Sequence, residues 1–179
     1  MIGRLATAAI ACAALGPGGA QAQQPGADKV LARGAYLVTV AGCTDCHTPG
    51  HFLGKPDLRR FLGGSDVGFA MPGLGVFHGP NLTPDKDTGL GNWTTAQIVT
   101  AITTGRRPDG RQLVPAMPYP ALARLTPADA EAIALYLKSL PAVRNKVPGP
   151  FGPSDKPTSF VLTILPADVY NGLPKAPPK

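Results

Sequence analysis

Apolar positions recur at helical spacing in three stretches of this chain. Val30, Leu31, Gly34, Leu37, Val38 and Ala41 share one face of a helix predicted over residues 28–41, with Asp28 as its N-cap. A glycine inside a helix costs about 1 kcal/mol against alanine, a cost that close approach of a second helix to Gly34 would offset. Ile98, Ala101 and Ile102 mark a second helix. It is opened by the capping-box pair Thr94 and Gln97 and closed by Gly105. The third is predicted over residues 127–140: Thr126 caps it, Pro127 fills its first position and Asp129 lies in its first turn. Ala130, Ile133, Ala134, Leu137 and Leu140 form its buried stripe, and Pro141 stops it. No strand alternation competes with these helices before residue 159.

Between the first two helices, residues 48–92 carry ten glycines and scattered aromatics and read as loop. So long a connection without regular structure is uncommon unless it wraps something. After the third helix comes a tail with nine prolines in its 39 residues, interrupted by the apolar run 160–165. That run is expected to pack on the protein's own body or on a partner. At the other end, Arg4 precedes an Ala-rich apolar stretch, then a glycine break and Ala20-Gln21-Ala22. This is the pattern of an export signal cut after Ala22. The expected organisation is therefore a signal peptide at 1–22, one domain at 23–141 and a Pro-rich extension at 142–179. No later stretch approaches the roughly 20 apolar residues that span a bilayer.

The 179 residues carry a formal charge of +6, but the basic residues are scattered without a run, which argues against nucleic acid. A basic face that steers docking to an acidic protein is one meaning of the excess, and solubility is the other. Cleavage after Ala22 would remove Cys12 and leave Cys43 and Cys46, three positions apart. They belong to Cys43-Thr44-Asp45-Cys46-His47, a C-x-x-C-H motif placed directly after the first helix. Two thiols at that spacing can add across the two vinyl groups of one haem, and the adjacent histidine then falls below the iron. A thioredoxin-like pair would want a βαβ context. A zinc site would need more ligands than His51 and His78 can supply. A plain disulfide leaves His47 unexplained.

A haem iron held by His47 needs a sixth ligand or keeps an open site. Met117, in Pro115-Ala116-Met117-Pro118-Tyr119, is held by flanking prolines in a connection between helices and is favoured. Met71, in Ala70-Met71-Pro72, lies close after His47, and His51 and His78 are the spare histidines. Phe61, Phe69, Phe77, Leu82, Ile102 and Leu113 are candidate lining. Asp85-Lys86-Asp87-Thr88-Gly89 hints at a calcium loop but has Ala96 where the twelfth-position glutamate belongs, so it reads as a turn. Asn81-Leu82-Thr83 and Asn92-Trp93-Thr94 are formal glycosylation sequons that read as turn and capping residues.

With these motifs the chain resembles class I cytochrome c, an all-α fold of three or more helices and long loops around one covalent haem. Gly34 near Leu37 resembles the family's helix-crossing glycine, and Ile133 with Tyr136 its apolar–aromatic pair on the last helix. A closer likeness is to the cytochrome domains of bacterial alcohol, aldehyde and sugar dehydrogenase complexes. It rests on Asn81-Leu82-Thr83-Pro84-Asp85, Gly89-Leu90-Gly91-Asn92-Trp93, Arg106 or Arg107 before Asp109-Gly110, and the segment Pro115 through Tyr119. The likeness covers residues 28–141 and implies haem c on Cys43 and Cys46, His47 and Met117 as iron ligands, and Trp93 and Arg111 at the propionates. The function it implies is a periplasmic electron carrier rather than an enzyme. Such a carrier takes electrons from a dehydrogenase and passes them to a cytochrome or terminal oxidase. Those complexes often string three such domains together, whereas one haem motif is present here, and the tail lies outside the likeness. A haem enzyme or sensor with an open or labile sixth site is the competing expectation, with no convergent acid–base set to support it.

Overall fold

A computed structural model describes residues 26–174; the expected signal peptide and Cys12 lie outside them. The first helix, α1 (Ala27–Val40), begins a residue earlier than expected. Gly26 is its N-cap, and Asp28 sits in the first turn, where a carboxylate favours the helix dipole without capping. Gly42 leaves it in the left-handed conformation at φ 66° and opens a short helix, α2 (Cys43–His47).

The helix α3 (Thr95–Thr104) carries both halves of the Thr94–Gln97 capping box and ends at left-handed Gly105. After α4 (Tyr119–Leu122) comes α5 (Pro127–Ser139), where the Thr126 side chain accepts from the Asp129 N–H. The tail holds a last helix, α6 (Ala167–Gly172).

Helices α1 and α5 make the most extensive pairing, and α3 packs on α5. At their crossing, a Cβ on Gly34 would run into the Ala132 carbonyl and lie 2.6 Å from the Tyr136 Cβ. Only glycine lets the two backbones come that close, which accounts for its place in mid-helix. Arg33 adds a forked ion pair, with Nε 2.8 Å and Nη2 3.3 Å from the two Asp129 carboxylate oxygens. Leu37, Val38, Leu62, Leu90, Ile98, Ile133, Ala134 and Leu137 form the core, with Cys43, Phe61, Leu82, Trp93 and Ile102 packed against it.

The long connection is not structureless, and the expectation of no strand before residue 159 fails. Strands β1 (Val67–Met71) and β2 (Gly75–His78) form an antiparallel hairpin. The tail strand β3 (Phe160–Leu162) joins β1 in parallel, giving the order β2-β1-β3. The expected all-helical architecture thus carries a small sheet. The apolar run pairs with the protein's own body through its main chain. Its side chains do not follow: Phe160 is 62% exposed and Ile164 98%.

Candidate haem site

Cys43, Cys46 and His47 share the one short helix α2. Both thiols are free and partly buried. Burial, with the nearby Cys46 and Asp45 charges adding to it, pushes the Cys43 thiol up to about 11. Burial and Asp45 also raise Cys46. A redox-active pair needs a thiolate at neutral pH, so this environment opposes a thioredoxin-like role.

His47 is 6% exposed. Burial lowers its pKa, and the bond to the Pro80 carbonyl partly opposes that. The Nδ1–Pro80 oxygen distance is 2.8 Å, so Nδ1 carries the proton and donates. Among the described residues Nε2 has no protein partner, which leaves it as the nitrogen able to bind a metal. Gly79 makes this approach possible, since a Cβ there would collide with the Cys46 carbonyl and come within 3.2 Å of His47 Nδ1. Two free thiols and one oriented buried imidazole therefore fit a covalently bound haem.

The other candidates have different surroundings. His51 Nε2 faces Asp45 at 3.4 Å, and His78 Nε2 meets Ser159 Oγ at 2.6 Å. Met71 lines a pocket of about 270 Å³ between the hairpin turn and tail residues Gly152, Pro153 and Asp155. Met117 sits half-buried in a turn set by Met117 N–H to Val114 O at 3.0 Å and Tyr119 N–H to Met117 O at 2.8 Å. That turn is fastened to the end of α3. Leu113 N–H donates to Gly105 O at 2.7 Å, and the Tyr119 ring lies against the bare Gly105 Cα, a Cβ there coming within 2.7 Å of Cδ1.

Of the expected lining, Phe61, Leu82 and Ile102 abut the core. Phe69 and Phe77 instead face each other across the hairpin, and Phe69 meets Phe52 edge-on at 5.4 Å. The Trp93 ring lies under the Arg107 guanidinium at 5.2 Å. Burial, together with the Arg107 cation, lowers the pKa of Arg111, and Asp109, ion-paired with Arg107 at 3.2 Å, partly opposes that. The Asp85 carboxylate accepts from Asp87 N–H, Thr88 N–H and Thr88 Oγ1, as the turn reading requires. Asn81 is a residue that the sequence undersold. It is 1% exposed with its amide fully bonded, and the polar residue after Gly79-Pro80 was the available sign.

A largely helical core around a C-x-x-C-H turn with a carbonyl-anchored histidine defines a c-type cytochrome. The cytochrome c family profile matches residues 31–141, and the chain belongs to that family. Haem c and electron transfer are the chemistry of this domain. Among similar proteins is the cytochrome c subunit of a quinone-dependent alcohol dehydrogenase of Gluconacetobacter polyoxogenes, 37% identical over 76% of this chain and 28% of its own length. The fructose dehydrogenase cytochrome subunit of Gluconobacter japonicus is 36% identical over 68% of this chain and 24% of its own. The gluconate 2-dehydrogenase cytochrome c subunit of Pantoea cypripedii is 35% identical over 61% and 23%. The chain thus spans about a quarter of the length of these relatives. Among the described residues, no helix is long and apolar enough to cross a membrane.

Proposed function

We propose that this chain is a periplasmic carrier of single electrons with one haem c. Its donor would be a dehydrogenase that oxidises a small alcohol or sugar, and its acceptor another cytochrome or a terminal oxidase. The observation that carries the reading is the α2 turn, with Cys43 and Cys46 as thioether donors and His47 Nε2 as proximal ligand, oriented by Pro80. The names of the relatives support the donor class, and the pattern of residues 1–22 supports export.

When bound, the haem supplies a one-electron couple between ferric and ferrous iron. The protein's part is to hold and tune it. His47 is fixed in one tautomer by its donated proton, which raises its basicity. Met117 would supply a thioether to the iron from a turn with little freedom, and that ligand would favour the ferrous state. With His47 and Met117 both holding the group, no place would remain for substrate. Phe61, Leu82 and Ile102 would keep water from the metal, while Arg111 would offer a cation and Trp93 an indole N–H to the propionates.

Mass spectrometry of the periplasm-expressed protein tests the attachment. One haem adduct is expected, absent when Cys43 and Cys46 are both changed to Ala. The oxidised protein should show the near-infrared methionine-to-iron band, and Met117→Ala should abolish it. Rapid carbon monoxide binding by the unmodified reduced protein would overturn the carrier reading in favour of an open-site haem protein.

A further inference from the structure

The family match ends at residue 141, yet the hydrogen bonds that fix the Pro80 carbonyl's surroundings run beyond it. Asn81 follows Pro80 directly. Its Nδ2 donates to Val143 O at 2.6 Å and to Thr88 Oγ1 at 3.0 Å. Its Oδ1 accepts from Thr83 N–H at 2.9 Å and Thr83 Oγ1 at 2.7 Å. Val143 closes the ring by donating its own N–H to Thr83 Oγ1 at 3.0 Å.

Asn145 repeats the pattern on the other strand of the wrapping loop. Its N–H donates to Thr88 Oγ1 at 3.1 Å and its side chain to Gly63 O at 2.8 Å. The residue after Gly63 donates from its N–H to His47 O at 2.8 Å, and Ser65 N–H bonds Gly79 O at 2.9 Å. Both Asn81 and Thr83 are 1% exposed, and buried polar groups left without partners are costly. The network is thus complete on every side, and it brackets Pro80.

We propose that Val143 and Asn145, together with Asn81 and Thr83, form a clamp that holds the Pro80 carbonyl against His47 Nδ1. The first part of the C-terminal extension then sets the strength of the proximal hydrogen bond. This rests on His47 being the proximal ligand. Asn81, Thr83 and Asn145 are positioning residues, since they act on the imidazole only through the Pro80 carbonyl. Loosening the clamp lengthens the bond, makes the imidazole a poorer donor to ferric iron and raises the reduction potential. The strand β3, farther along the tail, has no part in this.

The test uses the full-length holoprotein and its Thr83→Val, Thr83→Ser and Asn145→Ala variants. It reads the midpoint potential and the exchange rate of the His47 Nδ1 proton by NMR of the ferric state. Thr83→Val keeps the side-chain volume but removes the hydroxyl on which Val143 N–H and Asn81 Oδ1 converge. It should raise the potential and speed proton exchange by about tenfold, the lower end of what losing an outer-shell partner costs a metal site in affinity. Thr83→Ser should restore both. Asn145→Ala should move both in the same direction by less, and it carries the test if Thr83→Val fails to mature. Removal of residues 160–179 should leave both unchanged. Haem-loaded Thr83→Val and Asn145→Ala proteins with the parent's potential and exchange rate would overturn the clamp. A parent protein without a haem adduct would instead overturn the underlying assignment of His47.

Discussion

At the scale of single residues, the consequential positions are those where an atom more or less decides the structure. Gly34 is one. Alanine there would gain about 1 kcal/mol of helix propensity, but its methyl would meet the Ala132 carbonyl and the Tyr136 Cβ across the α1–α5 crossing. Overpacking of that kind costs typically 1–3 kcal/mol, and here the obstacle is backbone, which cannot turn aside. Gly34→Ala should therefore lower stability by about 1–3 kcal/mol, read as a lower urea midpoint with an unchanged slope. The need for close approach was legible at Gly34, because an unforced glycine would be selected against in mid-helix. At Gly79 it was not, because glycine in a loop carries no such contradiction.

Among the elements, helices were legible and the sheet was not, for reasons that lie in the residues. Thr94, Gln97 and Gly105 state both ends of α3 in local chemistry, as Thr126, Pro127 and Pro141 do for α5. The hairpin has a turn signal at Pro72-Gly73, but Gly68 and Gly75 thin the flanking alternation. Gly68 is required because a Cβ there would strike Val76 and the His78 ring. Pairing of β3 with β1 over 93 positions has no local signature at all. The C-x-x-C-H motif of α2 stands in consecutive residues, whereas the acceptor for His47 comes from 33 residues away.

His78 ties this sheet to the tail and gives it a pH dependence. Burial lowers its pKa, and Asp66 only partly offsets that. Its Nδ1 is buried without a hydrogen-bond partner. The neutral ring is thus the form that the fold prefers. The stability it contributes is present above the ordinary histidine value of about 6.5 and is lost as pH falls below it. Amide exchange at residues 160–162, taken relative to the intrinsic rate at each pH, should accelerate as pH falls below about 6.5, and His78→Gln should remove that acceleration. A relative rate that stays flat over that fall in the parent would refute the assignment.

At the scale of the whole molecule, charge is the property that a partner meets first. Asp129, Asp57, Asp109 and Asp87 are each paired with arginine, so the lysines and the remaining arginines carry the net +6. If electrons arrive from an acidic dehydrogenase surface, the bimolecular reduction rate should fall steeply as ionic strength rises from about 0.01 to 0.15 M, where the Debye length shrinks from about 30 to 8 Å. A rate indifferent to salt would mean that the excess charge serves solubility alone.

The bond between Asn81 and Val143 spans 62 positions along the chain, and that separation imposes an order of events. Local turns such as α2 form early, while contacts that close long loops come late. The thiols of Cys43 and Cys46 are therefore reachable during an interval in which the proximal side still lacks its final buttress. On the proposed assignment, attachment at Cys43 and Cys46 would precede rigidification around the group, the second waiting on residues synthesised nearly a hundred positions after the first.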